Sequence, residues 1–182
     1  MWVLARLRPV LAVLTPVMAL AACTPPPAAS VAEQAPASEY GALERELFQR
    51  VSLHRDSMDL PRLRYDERLA ALAREHSRDM ASGAVPFSHA NFQERARLAE
   101  ALGYPSLGEN LAFNDYGRDT TVQVAVTGLV ASPTHRHTME GNWARSGVGV
   151  ARGPAGTWFY TQLFVRESAA APPPGANLPH GR

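Results

Sequence analysis

Apolar positions along the chain fall into two regimes, helical spacing first and strand-like runs last. From Tyr40 to Met58, Leu43, Leu47, Phe48, Val51 and Met58 recur near a helical period, with Glu44, Arg45, Arg50 and Arg55 between them. Pro61 interrupts, and Tyr65 to Ser82 repeats the pattern with Leu69, Leu72, Ala73, His76 and Met80 on one stripe. Asp66 is placed to cap this second helix and Gly83 to stop it. A loop, Ala84 to Ala90, leads to a third helix that starts at Asn91 as N-cap and ends at Leu102, before Gly103-Tyr104-Pro105. Ser106 to Ala112 has neither period in pure form. A fourth helix spans Asp119 to Ala131, and Pro133 restarts a short one to Glu140.

The last part changes character. Gly147 to Ala151 and Trp158 to Val165 are β-rich runs on either side of Gly153-Pro154-Ala155-Gly156, which predicts an antiparallel hairpin. Glycines in its first strand predict a close approach by something packed on it. Helices first and strands late give an α+β class.

The ends of the chain do not belong to this pattern. Met1, Arg6 and Arg8 precede an apolar run from Val10 to Ala22, broken only by Thr15 and Pro16, which reads as a secretion signal too short and interrupted to span a membrane. It ends in Leu20-Ala21-Ala22-Cys23, similar to the lipobox at which bacteria lipidate a cysteine and cleave before it. Cys23 is the only cysteine, so it has no disulfide partner within the chain. The expected division is therefore a signal peptide at 1–22, a Pro/Ala-rich tether at 23–38, one domain at 39–167, and a disordered Pro-rich tail at 168–182.

Formal net charge is +1, and the 18 basic residues, all arginine, are scattered. Nothing in that distribution points to nucleic acid. There is no GxSxG elbow and no glycine loop with lysine, so nucleophilic and phosphoryl-transfer chemistry lack their usual parts. Among the remaining residues, His76 sits on an apolar stripe and reads as a satisfied core histidine, and His137, two residues after His135, faces a different side of its helix and reads as exposed. Asn110 reads as structural, bonding backbone, and Trp143, Trp158 and Phe159 as core or cleft wall.

Four segments in order, Phe87-Ser88-His89, Gly108 to Ala112, Ser132 to Arg136 and Gly147 to Val150, resemble a bacterial member of the CAP superfamily, the SCP-like domain of cysteine-rich secretory, antigen 5 and pathogenesis-related proteins. The likeness covers Gly41 to Arg166. It implies an α-β-α sandwich around a central antiparallel sheet, more sheet than the residues themselves show, with a strand over the ambiguous Leu107 to Phe113. It also implies a cleft of two histidines and two glutamates, matched here by His89, Glu109 and His135. The second glutamate is missing: Leu129 stands where the family's usual Trp would be, and the position three residues later is Ser132.

Three readings of the trio stay open. Two imidazoles and one carboxylate could bind Zn²⁺ or another divalent cation with an open fourth position. They could instead form a hydrogen-bonded network joining loop, strand and helix. Or, with Ser132, they could orient a ligand without metal. Ser132 is explained as readily by a helix cap before Pro133 as by activation through His135. No cofactor is required by any other feature, and no catalytic constellation is complete.

The functional expectation is an exported CAP/SCP-domain lipoprotein, tethered through Cys23 in the cell envelope and facing the periplasm from the outer membrane in a Gram-negative cell. Its domain would bind a ligand or partner, with lipid the favoured class by resemblance. The alternatives are a metal-assisted hydrolase or peptidase using His89, Glu109 and His135, and a purely structural or adhesion module for which the arginine-rich surface matters more than the cleft.

Overall fold

In this computed structural model, residues 39–167 are described. The expectations for 1–38, including Cys23, and for 168–182 lie outside the described residues. In chain order the elements are α1 (Gly41–Ser57), β1 (Arg64–Tyr65), α2 (Glu67–Ser82), α3 (Phe92–Ala101), β2 (Leu107–Asn114), α4 (Thr121–Ala131), α5 (Pro133–Met139), β3 (Arg145–Arg152) and β4 (Trp158–Val165). The four strands form one sheet in the order β1-β3-β4-β2. β3 and β4 are the expected hairpin, β2 runs antiparallel to β4, and β1 pairs parallel to β3.

Side-chain alternation in β3 builds the sandwich, because successive residues of a strand face opposite sides of the sheet. Val148 and Val150 point into a core shared with Leu43, Leu47 and Val51 of α1 and Val122, Ala125 and Leu129 of α4. Gly147 and Gly149 point the other way, against the backbone of α2. A Cβ on Gly147 would lie 2.2 Å from the Ala70 nitrogen, and one on Gly149 2.1 Å from the Arg74 nitrogen. The close approach expected from these glycines is thus a helix lying directly on the strand. With α1 and α4 on one face and α2 on the other, the fold is the α-β-α sandwich that the resemblance implies.

Several local expectations need correction. Tyr65 belongs to β1 and not to the second helix. Asp66 follows it as the true cap, its carboxylate accepting from the backbone N–H groups of Arg68 at 2.9 Å and Leu69 at 3.3 Å, so the helix begins at Glu67. Asn91 holds the N-cap position of α3 but makes no side-chain capping bond. Its φ is 58°, whereas a capping side chain reaches back from an extended backbone. Glu44 and Arg55, placed between the apolar positions of the first helix, are both buried. Each is matched: Arg74 Nη2 donates to Glu44 at 2.7 Å, and Arg55 donates to the carbonyls of Met139, Gly141 and Pro61, tying α1 to the end of α5.

Candidate functional site

β2 is the edge of the sheet, and the family-like residues converge on it. Glu109 lies in mid-strand with its side chain only 1% exposed. Burying a carboxylate without partners costs several kcal/mol, so the surroundings must compensate. They do so mainly through Arg95 of α3, which donates from Nε to Oε2 at 2.7 Å and from Nη2 to Oε1 at 2.8 Å. The third arm of the guanidinium, Nη1, donates to the Ala90 carbonyl at 2.8 Å and fixes the loop that carries His89. His89 completes the set, its Nδ1 lying 2.7 Å from Glu109 Oε1. A carboxylate accepts, so Nδ1 carries the proton and the other ring nitrogen is free to meet a ligand. The His89 side chain is 55% exposed.

His135 enters differently. Its ring makes no hydrogen bond among the described residues; its backbone carbonyl accepts from Asn110 Nδ2 at 2.9 Å. Burial, and then the nearby His89 imidazole, push the His135 pKa down, which favours its neutral form. Asn110 bonds backbone, as expected, but across to α5 and not within its own segment. The polar network is therefore real for His89 and Glu109, whereas His135 is held beside it by its main chain.

Arg95 is the residue that sequence reasoning missed. The signal was available in part: a charged residue four positions before Ala99, both buried on one stripe of a helix. Its partner could be named only once β2 and α3 were adjacent. Arg95 also bears on metal binding, since both oxygens of Glu109 are engaged by its guanidinium. Among the described residues no three His, Cys, Asp or Glu side chains are grouped to hold a metal ion.

Beside β2 runs a groove of about 350 Å³ lined by Phe87, Leu111, Phe113, Val124, Leu129, Ser132 and His135, among others. Its walls are predominantly apolar, with the polar groups of Ser132 and His135 among them. Ser132 occupies the N-cap position of α5 without a side-chain capping bond, which leaves its hydroxyl available to the groove. A second cavity, about 490 Å³, lies between α2 and α3 and includes Leu72, His76 and Leu98. His76 is buried, as expected, but only half satisfied: its Nε2 donates to the Ser88 carbonyl at 3.0 Å, and its Nδ1 has no partner. Burial, followed by the charge of Arg95, lowers its pKa. Of the other side chains weighed above, His137 is exposed and Trp158 is core.

Comparison with known proteins agrees with this architecture. A structure of an extracellular protein containing an SCP domain from Bacillus anthracis matches with a TM-score of 0.59 and 27% identity, over 69% of this chain and 41% of that one. An outer surface protein from Borrelia burgdorferi matches with a TM-score of 0.60 and 15% identity, over 72% of this chain and 97% of that one. A cysteine-rich secretory protein from Staphylococcus aureus gives 0.56 and 18%, over 75% and 40%. This chain thus spans well under half the length of the Bacillus and Staphylococcus proteins. A search of curated proteins returned no match. The model of the CAP, or cysteine-rich secretory protein, family matches residues 48–164. With that match over most of the described domain, and with the sandwich and its edge-strand cleft, the chain belongs to the CAP family.

Proposed function

We propose that this protein is an exported lipoprotein, held in the cell envelope through Cys23, whose CAP domain binds a lipid by taking an acyl chain into the groove beside β2. The groove itself carries the reading. Phe87, Leu111, Phe113, Val124 and Leu129 offer an apolar chain a place out of water, while Ser132 and the neutral His135 offer a headgroup its few hydrogen bonds. His89, oriented by Glu109, adds a second imidazole near His135. The metal-assisted hydrolase finds less support, because Arg95 takes up the carboxylate that such chemistry would need as ligand or base. No helix among the described residues is long and apolar enough to cross a membrane, so attachment in this reading falls to Cys23.

The test is solvent extraction of the chain purified from its own envelope, followed by mass spectrometry of the extract; acyl groups attached covalently at Cys23 stay with the protein. About one acyl lipid per chain is expected. Gly128 lines the groove, and a Cβ there would meet nothing within 4 Å, so Gly128→Leu should fold normally, fill the groove and lose the lipid. Absence of lipid from the unsubstituted chain, or equal recovery from both, refutes the assignment.

A further inference from the structure

Three of the six exposed large hydrophobic residues in the described chain gather at one end of the sheet: Phe87 at 42% exposure, Phe113 at 56% and Tyr116 at 54%. Phe113 is the cross-strand partner of Phe159, and Phe87 packs on Phe113 with ring centroids 4.6 Å apart. Phe87 and Phe113 also line the groove, so the aromatic cluster adjoins its mouth. The domain's N-terminal entry is at the same end. Tyr40 stacks edge-on against Trp158 at 5.4 Å, and Trp158 pairs with Asn114 and donates from Nε1 to the Tyr116 carbonyl at 3.0 Å. Only sixteen residues separate Cys23 from Tyr40, which bounds the reach from a membrane to this end at about 60 Å.

We infer that this end of the sheet, bearing Phe87, Phe113, Tyr116 and Phe159, is a bilayer-contacting face through which the groove receives its acyl chain directly from the membrane. The inference rests on the lipoprotein reading above. Exposed Phe87 and Phe113 rings with the amphipathic Tyr116, at the end where the chain enters the domain, suit a lipid interface, the phenyl rings in the apolar boundary and the Tyr116 hydroxyl among the headgroups. The charges favour a neutral surface. Arg118 and Arg152, which both act on Tyr40, are offset by Glu39, Asp115 and Asp119 in the neighbouring chain, so among the described residues this end carries no basic excess to select anionic lipid. The surface that suits this end is a zwitterionic bilayer.

The experiment is hydrogen exchange on the full processed chain, in phosphatidylcholine vesicles and in detergent, beside radiolabelled palmitate incorporation by the native chain and Cys23→Ala. Labelling lost in Cys23→Ala supports the tether. On vesicles, exchange in 85–88 and 115–118 is expected to slow by roughly tenfold, with no change at 142–146 on the opposite end of the sheet. The double variant Phe87→Ser/Phe113→Ser, at two exposed positions that also border the groove, should stay folded and labelled while losing that protection, which Gly128→Leu, filling the groove alone, should keep. Labelling without protection, or protection spread equally to both ends, overturns the bilayer face and leaves the tether standing. Protection that appears only when other envelope proteins are added also overturns it, in favour of a protein partner. Should labelling fail, the same vesicles are floated: flotation lost in the double variant supports the face without the tether, and no flotation overturns both.

Discussion

The Arg95–Glu109 pair makes a demand that can be worked through in numbers. Both side chains are almost fully buried, at 7% and 1% exposure, and two short hydrogen bonds join them. Replacing Arg95 by Met leaves Glu109 with His89 as its remaining side-chain partner and the Ala90 carbonyl without its donor. Removing one member of a buried pair costs about 3–5 kcal/mol, and the bond retained to His89 argues for the lower half of that range. Glu109→Leu strands the guanidinium instead and should cost about 3 kcal/mol. The double variant buries no unpaired charge and should lose only about 1–2 kcal/mol, since a matched apolar replacement of an ion pair is often close to neutral. The coupling is then about 4–6 kcal/mol, far beyond the roughly 0.5 kcal/mol expected of independent sites. Urea unfolding of the four proteins at pH 7.5, with m-values checked for constancy, measures it. EDTA should leave every midpoint unchanged. Additive single losses would refute the structural role of the pair, and an EDTA-sensitive midpoint in the unsubstituted chain, lost in Glu109→Leu, would return the carboxylate to a metal.

Gly149→Ala forces a Cβ to within about 2.1 Å of the Arg74 backbone nitrogen, and thermal unfolding should show a loss of at least about 2–3 kcal/mol. Gly128→Ala, in a helix with open space around it, should stabilise by about 0.5–1 kcal/mol in the same assay. His76 and His135 have lowered pKa values in the fold, so the unfolded chain binds more protons between the folded values and about 6.5. Their contribution is complete above about pH 6.5 and is lost as pH falls through the folded values. Urea midpoints at pH 7.5 and pH 5 should therefore drop in the native chain, and drop less in His76→Gln; identical drops would show that the loss comes from other groups.

The helices were legible because their apolar stripes are long enough to show a period. The observed bounds lie within two residues of the expected ones at every helix end, and Tyr65 alone falls in a different element from the one its pattern predicts. That error has a physical cause. β1 is two residues long and exists by pairing with Arg145 and Ser146, 81 residues further along the chain, and no local pattern encodes such a contact. β2 was ambiguous for another reason. Gly108, Glu109 and Asn110 interrupt its apolar sequence because they serve the cleft, so the residues that hide the strand are those that identify the family. Glu44 and Arg55 looked like solvated polar positions, since their burial depends on Arg74 and on carbonyls of the α5 end, which only the tertiary fold supplies.

The adjacency of Glu109 and Asn110 gains a meaning from strand geometry that neither residue has alone. Neighbours in a strand point to opposite faces, and here both sit on the edge strand, where the sheet has no further member. Glu109 reaches one way to Arg95 and His89, holding α3 and the 84–90 loop; Asn110 reaches the other way to the His135 carbonyl, holding α5. Two consecutive side chains thus clamp the two walls of the groove to the strand between them. Phe87 rides on the first wall, and Ser132 and His135 on the second. A groove built in this way has its width set by buried hydrogen bonds and its character set by the side chains that face inward. The apolar content of those inward positions can therefore change without loosening the clamp.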